Sequence, residues 1–188
     1  MRYFRYFPRA KHSSRELVDI TKRTRILEGL LSDPYIYLPY TVTSDDKPED
    51  VAHLYYQDVG KTWLIYMANN IIDPYSEWPL SMEDFYSMLR KKYETQSGET
   101  GNEVIHWTQN TQIEDNIVHC VDREDESIRI NYETYKNDPS IIQNDWRVVR
   151  IYEHENNLNE DKRSIFLIAK DYASQIEDDL EELMGEEI

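Results

Sequence analysis

The feature that most limits what this chain can fold into is the punctuation between Tyr40 and Pro74. Tyr40-Thr41-Val42-Thr43 is a short β-forming run that stops at the polar turn Ser44-Asp45-Asp46. Pro48 then stands where only the first turn of a helix accommodates a proline. Asp46, with Glu49 three residues on, has the pattern of a helix N-cap close to a capping box. Val51, Leu54 and Tyr55 predict the inward face of a short helix that Gly60 breaks. A second short helix is expected over 61–70, with Trp63, Leu64, Met67 and Ala68 as its apolar side. Asn69-Asn70 offers a left-handed terminator before Ile71-Ile72-Asp73-Pro74 closes the segment.

The flanks are less tightly specified. Arg2-Tyr3-Phe4-Arg5-Tyr6-Phe7 alternates arginine with aromatics until Pro8 ends it. An arm with so much aromatic area favours burial, on its own domain or on a partner. Deleting residues 1–9 is expected to leave the fold intact and abolish assembly. Leu17, Ile20, Thr24, Leu27 and Leu31 recur at helical spacing, so an amphipathic helix is expected over Ser14 to Leu31. Ser81 caps another helix, running to about Tyr93 with Phe85, Met88 and Leu89 on one side. Beyond the loop Gln96 to Asn102 the pattern turns strand-like at Val104–Trp107, Ile117–Val121, Ser127–Tyr132 and Trp146–Tyr152. Ser164 to Ala169 is a continuous apolar run, read as a buried strand. Asp171 can cap a final helix with Tyr172, Ile176, Leu180, Leu183 and Met184 as its stripe and an acidic opposite face. The expected fold class is α+β, with a small strand–helix–helix unit and a mixed, β-rich C-terminal region that ends in a strand and an acidic helix. Three segments follow: an arm and helix over 1–39, the unit over 40–80, and helix, short strands and strand–helix over 81–188.

Charge narrows the function. The 188 residues carry 21 Lys and Arg against 37 Asp and Glu, a formal net charge of −16. Such a chain repels phosphate backbones, so nucleic acid is not an expected partner. The charge is uneven: residues 1–30 hold eight basic side chains against three acids, +5, which leaves −21 on the rest. No apolar run is long enough for a membrane span, and Met1 to Pro8 lacks the apolar stretch of a secretion signal.

No catalytic constellation stands out. There is no phosphate-binding loop, no Gly-x-Ser-x-Gly and no His-Glu-x-x-His, and the chain has only five glycines. His119 and the single cysteine, Cys120, are neighbours on an expected strand and therefore point to opposite faces. Acid pairs such as Glu49-Asp50 and Glu83-Asp84 sit at expected helix starts, where capping explains them. No catalytic, metal-binding or cofactor-binding residue is expected. Fifteen tyrosines and four tryptophans suit either an aromatic core or protein interfaces. The candidate partner-docking residues are Tyr3, Phe4, Tyr6, Phe7, Trp63, Tyr66, Tyr75 and Trp78.

Two resemblances rest on these residues. Tyr40-Thr41-Val42, Ser44-x-Asp46, Val51-Ala52, Trp63-Leu64 and Asn69-Asn70-Ile71-x-Asp73-Pro74 together resemble a LysM module, a strand–helix–helix–strand fold that usually binds N-acetylglucosamine-containing glycans. Tyr75 to Leu80 stands where such a module has a Pro-Gly and a hydrophobic closing strand. More of the chain is similar to the baseplate wedge subunit family numbered fifty-three in the T-even, contractile-tailed phages. The similarity runs through Phe4-x-x-Phe7-Pro8, Lys47-Pro48-Glu49-Asp50-Val51-Ala52, Trp63-x-x-Tyr66-x-x-Asn69-x-Ile71-x-Asp73-Pro74-Tyr75-x-x-Trp78 and Asn159-Glu160-x-Lys162-Arg163-x-Ile165. That resemblance implies a non-enzymatic structural subunit of the virion, assembled in the host cytoplasm within a sixfold baseplate. It would join neighbouring wedges by contacts with other wedge subunits. The alternative is a peptidoglycan-binding LysM protein.

Overall fold

The structure, a computed structural model, describes residues 7–19, 35–43 and 46–185, with side chains to 182. The chain divides into two compact units: residues 1–79 with 162–188, and residues 80–161. The first unit is therefore discontinuous in sequence, and the second is an insertion within it. Both mix helices with small sheets, so the fold is α+β.

The first unit opens with a two-stranded ribbon, β1 (Arg9–His12) and β2 (Arg15–Val18). Ser13 turns the corner at φ 58°, the positive backbone angle that tight hairpins require. The helix expected from Ser14 is thus a strand over 15–18. The Ser13-Ser14 corner and the alternation along 9–18 outweigh the helical spacing, most of which falls at residues 20–31, outside the described residues.

Next, β3 (Tyr37–Thr41) pairs antiparallel with β7 (Ser164–Ile168) in the register Tyr37 opposite Ile168 and Thr41 opposite Ser164. Val42 N donates to Arg163 O at 2.9 Å and Ala169 N to Ile36 O at 2.8 Å, lengthening the ladder at both ends. Between these strands lie α1 (Pro48–Tyr56), a 3-10 turn over Val59–Lys61, α2 (Thr62–Ala68) and the one-turn α3 (Pro74–Glu77). After β7 comes the last helix of the chain, α8 (Lys170–Gly185), the intervening helices belonging to the second unit. Val51, Ala52, Leu64 and Ile65 from the first two helices close on Ile165, Leu167 and Ile168 of β7 and on Ala173, Ile176 and Leu180 of α8. Each large aliphatic side chain buried this way contributes about 1.5–3 kcal/mol.

Two details of this unit differ from the sequence reading. The cap of α1 is Lys47, whose N–H donates to the Asp50 carboxylate at 3.3 Å, and not Asp46 with Glu49. Pro48 fixes the frame, because it must occupy the first helical position. Asp46 instead takes the N–H and hydroxyl of Thr43. The helix ends at Gln57 in the left-handed region (φ 60°), ahead of Gly60. Leu54, expected inside, is exposed, and Ala52 and Tyr56 face the core in its place.

In the second unit, α4 (Met82–Ser97) starts at Ser81, whose hydroxyl accepts Asp84 N–H at 3.1 Å. It buries Phe85 and Leu89 and stops at Gly98 with φ 70°. Residues read as a strand at 104–107 lie in α5 (Asn102–Gln109), which buries Val104, Ile105 and Thr108 on one helical face. A three-stranded antiparallel sheet follows, in the order β5 (Arg129–Ile130), β4 (Ile117–Asp122), β6 (Trp146–Arg150). α6 (Tyr132–Asn137) sits between β5 and β6 in sequence. The strand read as reaching Tyr152 ends at Arg150, and Ile151 opens α7 (Ile151–Asp161). Cys120 is buried and His119, beside it on β4, is half-buried, on opposite faces as strand alternation requires.

Candidate docking surfaces

The segment from Asn69 to Trp78 is a surface loop held from several sides. Asn70 takes the left-handed region at φ 53°, and Ile71 N donates back to Tyr66 O at 2.9 Å. Asp73 caps α3 through Tyr75 N–H at 3.1 Å and also takes the Ser76 hydroxyl at 2.8 Å. One oxygen of Glu77 accepts the N–H groups of Ile72 (2.6 Å) and Asp73 (2.7 Å). Trp78 Nε1–H donates to Asp46 O at 2.9 Å, and Lys162 Nζ donates to Ser76 O at 2.7 Å. A loop tied this closely still presents Tyr75 at 92% exposure and Ile72 at 66%. A rigid, exposed aromatic loses little entropy when a partner covers it.

Tyr66 lies near this tip and is half-buried. Burial raises its phenol to about 12, and the Glu49 carboxylate and Tyr75 push in the same direction. The three side chains therefore share one electrostatic neighbourhood, with an uncharged phenol at neutral pH.

The other candidate docking aromatics fall elsewhere. Phe7 (4% exposed), Trp63 (8%) and Trp78 (7%) are part of the core of the first unit. Deleting residues 1–9 would therefore remove one core side chain, Phe7, together with any docking residues. Tyr3, Phe4 and Tyr6 lie outside the described residues. Ile72 is the exposed side chain the sequence reading passed over. Its neighbour Ile71 packs partly against the core, so the pair splits between inside and outside.

The polar clusters of the second unit include one around Glu155 and one around His119. Glu155 is buried and takes Lys92 Nζ at 2.8 Å and the Tyr93 hydroxyl at 2.5 Å. Burial pushes its carboxyl up, but the Lys92 and Tyr93 bonds outweigh that and hold it below its ordinary value. His119 and His154 meet edge to face at 5.5 Å between ring centres. Burial, and then Arg129, His154 and Arg147, hold the His119 imidazole below its ordinary value, against an opposing pull from Glu153. Among the described residues no group of three or more His, Cys, Asp or Glu is placed to hold a metal ion. No helix among them is long and apolar enough to cross a membrane.

A family model described as base plate wedge protein 53 matches residues 11–183, a span that takes in both units and both pieces of the discontinuous one. The chain belongs to this base plate wedge protein family. No curated protein matches it. As a base plate wedge protein it is a structural component of the phage tail in the virion, is assembled in the host, and works in contact with other base plate proteins.

Proposed function

We propose that this base plate wedge protein joins neighbouring wedges through protein–protein contacts as a sixfold base plate forms, with a mechanical and not a catalytic role. The family match over nearly the whole chain carries the reading. The rigid tip at Ile72 and Tyr75 supports it, since an exposed aromatic on a preorganised loop is the form that interface anchors take. Tyr66 borders the same proposed docking surface, and Tyr3, Phe4 and Tyr6, outside the described residues, are proposed as further docking side chains. Phe7, Trp63 and Trp78 act from the core, where Trp78 ties the end of the loop to Asp46 O.

The test is assembly with the chain omitted, or carrying Ile72→Asp with Tyr75→Ala, followed by electron microscopy of the products. The expected products are complete but separate wedges. Closed base plates formed without the chain would overturn the reading.

A glycan-binding role is the second reading, favoured by one observation. β3, α1, α2 and β7 make a strand–helix–helix–strand arrangement with an antiparallel strand pair, the order of a LysM module. Retention of the full chain on insoluble peptidoglycan, competed by soluble chitin oligomers, would favour it over wedge joining.

A further inference from the structure

The two sheets of the first unit treat their edges differently. On β7, Phe166 donates its N–H to Asn69 Oδ1 and accepts from Asn69 Nδ2, both at 2.8 Å. Ile168 donates its N–H to the Tyr56 hydroxyl at 3.0 Å and accepts from it at 2.9 Å. Side chains thus fill the outer edge of β7. On β3 the residue opposite Phe166 is Pro39, which has no N–H to offer at the outer edge. Side-chain bonds on β7 and the proline on β3 make this sheet a poor template for a further strand.

The β1–β2 ribbon has no such closure among the described residues. All eight of its residues are exposed. An isolated two-stranded ribbon is marginal in water and becomes stable when a face is covered. The register pairs Ala10 with Leu17 and His12 with Arg15, so these four side chains share one face. That face is apolar at its base, where Leu17 is 52% exposed, and carries the Arg15 cation beside His12 at its tip, with no acid on it. The opposite face holds Arg9, Lys11, Glu16 and Val18, with Arg9 and Glu16 paired at 3.9 Å. Phe7, in the core, and the bond from Asp19 N to Pro8 O (2.8 Å) anchor the ribbon at its base.

The chain carries its own electrostatic complement. Asp171, Asp178, Glu181 and Glu182 of α8 are exposed and recur at helical spacing, away from buried Ala173, Ile176 and Leu180. No basic residue lies in the last turn of α8, so acids meet the negative end of the helix dipole uncompensated, and a cation brought there is stabilising. The ribbon spans about 13 Å and the acidic stripe about 17 Å, so one can lie along the other.

We infer that the Ala10–His12–Arg15–Leu17 face of the ribbon docks a second copy of this chain, along the acidic face of its α8. The contact is head to tail, the kind that closes into a ring when the rotation between copies allows. It does not depend on wedge joining and is measured on the chain alone. Two copies of charge −16 repel at long range, but physiological salt screens that beyond about 8 Å while leaving the contact charges in force. A single ribbon face is far smaller than a standard interface, so the isolated contact is weak, with a Kd on the order of 100 µM.

Sedimentation velocity of the full chain at rising concentration tests this. The wild type is expected to associate reversibly, and 1 M salt to weaken it. His12→Glu with Arg15→Glu, or Asp178→Lys with Glu182→Lys, is expected to weaken association at least tenfold. Lys11→Glu, on the other face, is expected to leave it within twofold. Mixing the two charge-reversed variants is expected to restore association, which a misfolded variant could not do. A wild type that stays monomeric to about tenfold above that Kd, reversals without effect, or a mixture that fails to associate would each overturn the inference.

Discussion

The phenol oxygen of Tyr56 is both donor and acceptor for Ile168, and burial pushes its pKa well above the ordinary value, so it stays protonated. Tyr56→Phe leaves a buried N–H and C=O without partners. The expected loss is about 1–3 kcal/mol in urea unfolding, with the fold retained. Asn116 has the same importance in the second unit. It is fully buried, donates to Trp107 O (2.7 Å) and Asn110 O (2.8 Å), and accepts from Arg150 Nη1 at 2.5 Å. Asn116→Leu strands those carbonyls and part of a guanidinium, an expected cost of about 3 kcal/mol by the same measurement. His119 gives the second unit a pH dependence. Its folded pKa is below the ordinary 6.5, so the unfolded chain binds more protons in that window. Its contribution is fully present above pH 6.5 and is lost as pH falls from there. The Glu155 contribution is lost only below its ordinary 4.5, so the two windows separate. Thermal melts of His119→Gln should show a flatter Tm between pH 7.5 and 5.5 than the wild type, on the order of half its slope. An unchanged slope would assign the dependence to other groups.

Among the elements, those with chemical punctuation were legible in the sequence. Pro48 and the Asn69-Asn70 pair bracket α1 and α2, Ser81 opens α4, which runs past the expected end near Tyr93 to Ser97, and the apolar run at 164–168 is β7. The pairing of β7 with β3 was not legible, because the choice of strand partner is a long-range event that neither strand encodes locally. The strand that pairs with β3 comes from beyond the inserted unit and not from Tyr75 to Leu80. Residues 104–107 misled because Val104, Ile105 and Trp107 have high strand propensity, while the buried helical face uses Thr108 as its third member. Aromatic content pointed to docking residues, but composition does not separate Trp63 and Trp78, which are core, from Tyr75, which is not. A chain of residues 35–79 alone is expected to show no cooperative melt. The same segment linked to 162–185 by a short flexible linker is expected to fold, with circular dichroism and amide exchange as the readouts. Folding of 35–79 alone would show that β7 is dispensable.

For the whole molecule, the family match runs through the discontinuous unit and its insertion alike. Family membership places the chain in the base plate, and the exposed Ile72 and Tyr75 are where we propose that it is gripped. The rigid tip carrying Ile72 and Tyr75 is the surface on which the proposed wedge joining depends most. A photo-crosslinking residue at Tyr75, activated in intact base plates and mapped by mass spectrometry, tests that claim directly. Crosslinks from position 75 to a subunit of the adjacent wedge are the predicted result. Crosslinks confined to the chain's own wedge, or a position 75 that reacts only with solvent, would contradict it.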